Sequence, residues 1–339
     1  MLLNFSALES APRLLIEVTL KPVQGERFQP TGFPNLGAAI YKSPNGNDTL
    51  LVESAQSMAN RMEAACWDDV NDEWVYPLNG LPVVRVKDIA GEKLTNSVLE
   101  AHRLNSPYIE NTDWFETLKS EIGYDDKVKR PIDMRKVQRV ILKYDPNSLL
   151  HGFFLESIAG VIRSPRALSA FIEADGINVA ASGGVKNDRV DPTGKSEGGG
   201  SSKGYGNVPF ARDEFVAQRI TAYFNLDLAQ IRGFGVDTNV QRFLIAFAIF
   251  KIRKFLAEGL RLRTACDLEV AVERDATRQR RELIQIISPE NFVLPSLDDL
   301  INEEAIPRMI RDLSQRKGPD GQPLFADPPE TTVTWKARK

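Results

Sequence analysis

Cysteine is nearly missing from this chain: Cys66 and Cys266 are the two present, and they stand 200 positions apart. With no second pair beside either, neither a disulfide framework nor a thiolate metal site is supported, and both are expected to be buried thiols. Histidine is as scarce. His102 and His151 are too few for a metal cluster, and neither lies in an H-E-x-x-H spacing. A Gly-x-Ser-x-Gly elbow is absent, so a catalytic histidine would lack its nucleophile. Gly194-Lys195-Ser196 hints at a phosphate-binding P-loop, but that motif needs a glycine five positions before its second one, and Arg189 stands there. These gaps point away from an enzyme, and no cofactor or metal is expected.

Long apolar runs are missing too. The longest, Phe243 to Phe250, is far short of the roughly 18 to 20 residues that span a bilayer, and no basic stretch followed by an apolar one opens the chain. The expectation is a cytoplasmic protein without a membrane partner. Nor is there an excess of positive charge: 43 Lys and Arg against 46 Asp and Glu give a formal net charge of −3. Any surface that binds phosphate must therefore be local.

Local basic surfaces are present. From Lys127 to Arg166 nine basic residues face three acidic ones, and from Arg242 to Arg263 six face one. The balancing acids gather elsewhere, at Glu290, Asp298, Asp299, Glu303 and Glu304, so the chain is segregated by sign. Adjacent acids such as Asp125-Asp126 and Asp298-Asp299 read as solvated surface.

At 339 residues, 42% of them hydrophobic, the chain can bury a large core. Leu14, Ile16, Val18 and Leu20 alternate with polar or outward positions, which predicts a half-buried strand ended by Pro22. Residues 25–49, rich in Gly, Pro and Asn, read as a long ordered loop. Ala55, Met58, Ala59, Met62, Ala65 and Cys66 fall at helical spacing behind Ser54, a suitable N-cap, and predict a helix over 54–67. Residues 70–135 are mixed and read as an insertion. Val137 to Tyr144 alternate as a second strand, closed by a turn at Asp145-Pro146-Asn147-Ser148. His151–Ile162 and Ile177–Ala181 are expected to be further strands, while Ser164 to Leu168 suits a short helix or a strand. Gly183 to Gly206 holds eight glycines in 24 residues and predicts a mobile loop. Arg242–Glu258 is the pattern of a helix lying across a sheet, stopped by Gly259, and Leu260–Leu268 alternate as a strand that opens with two outward arginines. This order of elements is ferredoxin-like, an α+β class, with large insertions. Beyond Ser288 a helix near Leu297–Leu313 and a loose tail are expected.

Two stretches invite a nucleic-acid reading. Lys203-Gly204-Tyr205-Gly206-Asn207-Val208-Pro209-Phe210 follows the RNA-recognition octapeptide at all constrained positions but one: Asn207 stands where an aromatic should stack on a base, and Pro209 removes a ladder hydrogen bond, so a glycine hinge is the better reading. On the helix after Ser54, Gln56 and Asn60 share one polar flank and Ser57 and Arg61 the other. Amide, hydroxyl and guanidinium groups beside free helix N–H groups suit a phosphate.

Several stretches resemble one family. Arg27-Phe28-Gln29-Pro30-Thr31-Gly32-Phe33-Pro34-Asn35-Leu36-Gly37 and Leu51-Val52-Glu53-Ser54-Ala55-Gln56-Ser57-Met58-Ala59-Asn60-Arg61 are similar to the signature of the Csb-one subgroup of Cas-seven proteins, in the RAMP superfamily. The likeness continues through Ala101 to Pro107, Asp145 to Gly152, Ser182 to Lys186 and Leu260 to Leu268, and fades after 288. It implies a hand-like RAMP fold over residues 1–287: an RNA-recognition-type palm, a finger at 70–135 and a glycine-rich thumb at 176–212, followed by a helical segment and tail at 288–339. It further implies a non-catalytic backbone subunit of a type I-G CRISPR surveillance (Cascade) complex. Copies would stack in a helical filament along one guide RNA (crRNA), beside other Cascade subunits, and present the guide to target DNA. The resemblance places Gln56, Ser57, Asn60 and Arg61 on phosphate or ribose, helped by Arg27, Gln29 and Thr31; it puts Lys186 in the thumb and makes Arg163, Arg166, Arg261 and Arg263 second-choice contacts. The rival is a RAMP endoribonuclease that cuts precursor RNA.

Overall fold

Leu14, Ile16, Val18 and Leu20 are all buried on the inner face of the first strand, β1 (Arg13–Pro22), as their alternation predicts. The computed structural model describes residues 3–33, 36–125, 131–158, 160, 162–195, 203–274 and 280–336. In it β1 lies inside a large antiparallel sheet. The other strands of that sheet, in chain order, are β2 (Ile40–Lys42), β3 (Asp48–Glu53), β4 (Leu168–Asp175), β7 (Arg219–Asp227), β8 (Arg261–Arg263), β9 (Cys266–Val270) and β10 (Ile284–Ser288). Between β4 and β7 the chain makes a separate ribbon of β5 (Asn178–Asn187) and β6 (Asn207–Val216). The sheet runs β8-β9-β1-β7-β4-β3-β2, and β10 pairs with β1 on the flank that β9 covers only near Leu20.

Two helices cover this sheet. The first, α1 (Ala55–Ala64), starts where the sequence predicts: Ser54 adopts an extended N-cap conformation, and its hydroxyl accepts from the Ser57 N–H at 3.3 Å. Met58, Ala59 and Met62 turn inward. The second, α2 (Thr238–Glu258), is capped by Asp237 through the N–H groups of Asn239 and Val240. Phe243, Phe247, Phe250 and Phe255 of α2 are fully buried, each contributing about 1.5–3 kcal/mol through lost apolar hydration. The two helices pack on each other and on β4 and β7.

Several expectations need correction. Met134–Tyr144 is a helix and not a strand: Val137, Val140, Ile141, Leu142 and Tyr144 are buried, and Asp133 caps it through the Arg135 N–H at 2.9 Å. Asp145-Pro146-Asn147-Ser148 opens another helix, Pro146–His151, with Asp145 as N-cap and proline at its first position. His151–Ile162 is no single strand: Phe153–Leu155 pairs back on Ile162–Ser164. Leu260–Leu268 is a hairpin of β8 and β9, with Arg263 opposite Cys266. Within 25–49 the segment 40–42 forms the edge strand β2, paired with β3.

The glycine-rich segment differs at its start. Residues 183–187 and 207–212 belong to the ten-pair ribbon of β5 and β6, while 196–202 of the expected mobile loop lie outside the described residues. At Gly183 a Cβ would stand 2.5 Å from the Phe210 carbonyl oxygen, so glycine permits the close crossing of the two strands. The C-terminal tail is not loose either. Glu330–Thr334 adds a parallel strand to Val83–Lys87, which lies in the 70–135 segment. The helix expected near 297–313 is two, Leu297–Ile301 and Ile306–Ser314. No helix among the described residues is long and apolar enough to cross a membrane.

Candidate nucleic-acid interface

Burial of Glu53 at the end of β3 organises the first part of the site. Its side chain is 3% exposed, and a carboxylate so placed must be paired to remain charged. Two guanidiniums reach it. Arg61, from the far side of α1, stands 3.3 Å away and donates to the Leu262 carbonyl at 2.7 Å. Arg263, from β8, bonds Glu53 and donates to the Gln29 carbonyl at 2.8 Å. The Gln29 N–H donates to Ala265 at 2.7 Å and the Thr31 N–H to Val52 at 3.2 Å, which laces the loop after β1 between β3 and the β8–β9 hairpin. The structure thus brings Gln29, Thr31, Arg61 and Arg263 together. Two cations over one anion leave one positive charge unneutralised.

The same arrangement recurs at the foot of the ribbon. Arg27 lies 3.3 Å from Glu214, which is 7% exposed at its side chain and is also bonded by Arg212. Phe28 and Phe215 exchange backbone hydrogen bonds at 2.9 and 2.8 Å, fixing the ribbon to the loop that carries Arg27. Residues 27–31 therefore join two clusters, each with a surplus guanidinium.

A third group lines a cavity of about 750 Å³. Gln56 from α1 meets Arg166, which donates to its amide oxygen, and Arg163, His102, Arg103, His151 and Phe154 complete the wall. Arg103 is spoken for: its Nε and Nη2 donate to the two Glu63 oxygens at 2.7 and 2.9 Å, and the Asn147 amide adds a third bond to Glu63 at 2.7 Å. Burial lowers the pKa of Arg166, and the charge of Arg103 lowers it further. Ser57 is half-buried and Asn60 exposed on α1. Lys186 lies apart on the ribbon, donating to the Gly204 carbonyl at 2.7 Å, and Arg261 is exposed on β8 opposite Asp267.

Of the basic stretch from Lys127 to Arg166, Lys127, Lys129 and Arg130 lie outside the described residues. Arg139 pairs with Asp320 at 3.3 Å and Lys143 with Glu121 at 2.9 Å, so part of that excess is spent inside the protein. Asp299 closes a capping box with Ser296, a structural use for one of the acidic pairs; Asp126 of the other lies outside the described residues. Both cysteines are buried and free. No group of three His, Cys, Asp or Glu able to hold a metal ion occurs among the described residues. Sequence reasoning missed Glu53, Glu214 and Arg212, and it did not assemble His102, His151, Arg103 and Phe154. Glu53 sits inside a motif already singled out, but the distant arginine that meets it cannot be read from spacing.

Residues 14–179, a little under half of the chain, match the model of a family described as CRISPR-associated protein GSU0053. No curated protein matches the chain. Among solved structures, the chain is similar at 14% identity to a chain of a "CRISPR RNA-guided surveillance complex, pre-nicking", covering 76% of this chain and 73% of that one with a TM-score of 0.39. A second "CRISPR RNA-guided surveillance complex" gives 14% identity over 76% of this chain and 66% of that one, TM-score 0.35. Csc2 of Thermofilum pendens gives 9% identity over 91% and 77%, TM-score 0.29. All three scores lie below 0.5, too loose a likeness to carry an argument about function.

Proposed function

We propose that this chain is a Cas-seven-type backbone subunit that grips the guide RNA of a CRISPR surveillance complex, of the Csb-one subgroup and type I-G. The observation that carries the reading is the match of residues 14–179 to a CRISPR-associated family, a stretch that holds both loop residues 27–31 and the whole of α1. The two arginine pairs, each sharing one buried glutamate, supply what such a role needs: positive charge held rigid by its own counter-ion yet not cancelled by it. The strand order β9-β1-β7-β4, with α1 and α2 on the sheet, supports a ferredoxin-like palm, and the β5–β6 ribbon suits the thumb. Gln56, Ser57, Asn60 and Arg61, with Arg27, Gln29 and Thr31, contact phosphate or ribose.

The chain acts by positioning and without catalysis. Copies in a helical filament, beside other Cascade subunits, supply by repetition the avidity that one mildly acidic subunit lacks, and the bases of the guide remain free to pair with target DNA. Expression with and without a CRISPR array tests this: the ultraviolet spectrum of the purified protein shows bound nucleic acid only with the array, and labelled repeat RNA incubated with it stays intact. Site-specific cleavage would favour the endoribonuclease, and the absence of any copurified RNA would contradict the proposal.

A further inference from the structure

The cavity between α1 and the Phe153–Leu155/Ile162–Ser164 hairpin holds polar atoms that the protein itself leaves unmatched. His151 is 1% exposed and lines the cavity, yet neither of its ring nitrogens has a hydrogen-bond partner among the described residues. Arg166 donates one arm to Gln56, while its Nε, buried as well, is also unmatched. Such groups normally find partners, because burying one alone costs about 1–3 kcal/mol. At the mouth, Phe154 and Arg163 stand directly opposite each other in the antiparallel ladder, on one face of the hairpin, and both are exposed, Phe154 by 44%. An exposed ring beside an exposed guanidinium is a stacking platform with a phosphate contact.

The chemistry of the wall narrows the ligand. Burial pushes the His151 pKa well below the ordinary imidazole range, and the charges of Lys251, Arg103 and Arg166 lower it further, so the imidazole is held neutral. A neutral imidazole has one donor and one acceptor nitrogen. A simple anion offers acceptors alone and leaves the acceptor nitrogen unmatched; an apolar ligand leaves both. A nucleotide carries both kinds of group on separate parts, its base and its ribose hydroxyl, and its phosphate answers the arginines. At about 750 Å³ the cavity falls within the roughly 300–1,000 Å³ of small-molecule sites.

We propose that this cavity seats a single nucleotide of bound single-stranded RNA, its base against Phe154 and His151 and its phosphate on Arg163 and Arg166. The inference rests on the RNA-binding reading above and adds to it a discrete pocket away from the Glu53 and Glu214 clusters.

Photo-cross-linking of single-stranded RNA carrying 5-iodouridine, followed by peptide mapping, tests it on the full-length protein. The expected cross-link falls on the peptide holding His151, Phe153 and Phe154. F154A and R163Q alter exposed side chains and should leave the melting temperature unchanged, while each weakens RNA binding roughly tenfold or more and removes the cross-link. H151F, which keeps an aromatic ring at the site without polar atoms, should do the same. Wild-type affinity in both F154A and R163Q, with cross-links only at other peptides, overturns the pocket and leaves the RNA-binding reading intact; absence of RNA binding in the wild type defeats that reading itself. If free UMP binds and protects the pocket but RNA never cross-links there, the site belongs to a mononucleotide and the proposal fails.

Discussion

Arg61 and Arg263 approach one carboxylate, that of Glu53, from different elements, α1 and β8, and neither has it to itself. Arg61 also satisfies the Leu262 carbonyl, so it is part of the scaffold as well as a candidate for phosphate. Arg61→Ala is therefore expected to lower stability by about 1–3 kcal/mol as well as RNA affinity. Glu53→Gln leaves two guanidiniums facing each other without a counter-ion and should cost on the order of 3 kcal/mol. Denaturant midpoints of the two variants check both figures.

Arg27 separates the two roles. It is 58% exposed at its side chain, and an ion pair at that exposure is worth roughly 0–1 kcal/mol. Arg27→Ala should melt within a degree or so of wild type and yet bind RNA roughly tenfold more weakly, by the same factor for unrelated sequences, since phosphates carry no sequence.

The Arg103–Glu63 pair is a structural counterpart. Both side chains are buried, at 6% and 3% exposure, and the Arg103 backbone has a φ of 52°, in the left-handed region that non-glycine residues avoid. Glu63→Gln should destabilise the protein by about 3–5 kcal/mol, because it strands a buried guanidinium. A loss of RNA binding in that variant without a fall in the melting temperature would show that Glu63 acts on the ligand instead.

Two buried groups give stability opposite pH dependences. Burial pushes the Asp145 carboxyl up to about 6; the folded state then holds the proton more tightly than the unfolded one, and this contribution grows as pH falls from about 6 towards 4. His151 is held well below the ordinary imidazole range by burial and by Lys251, Arg103 and Arg166, so the unfolded state binds the extra proton and stability is lost as pH falls below about 6.5. Asp145→Asn keeps a good N-cap and removes only the first contribution. Its melting temperature should therefore drop more steeply than that of wild type between about pH 6 and about pH 4, and that of H151F should drop less steeply.

Much of the central sheet and its two helices could be read from hydrophobic period and caps: β1 from its alternation, α1 from Ser54 and its inward methionines, α2 from its phenylalanines and Gly259. Met134–Tyr144 could not, because Val137 to Tyr144 fits both a period of 2 and one of 3.6, and the deciding signal is the cap at Asp133. In the ribbon, glycine serves close strand crossing, whereas its composition alone suggests looseness. At the site, the cations were legible as residue types within motifs. Their anions were not, since Glu53 and Arg263 are 210 positions apart and meet only through the order of the sheet.

The most direct test of the account is the salt dependence of binding to two single-stranded RNAs of equal length and unrelated sequence. Backbone gripping predicts equal affinities and parallel log–log slopes of about −0.7 per phosphate contact, with Arg27→Ala reducing the slope by about one contact. Affinities that differ tenfold between the two RNAs, or a slope near zero, would contradict it.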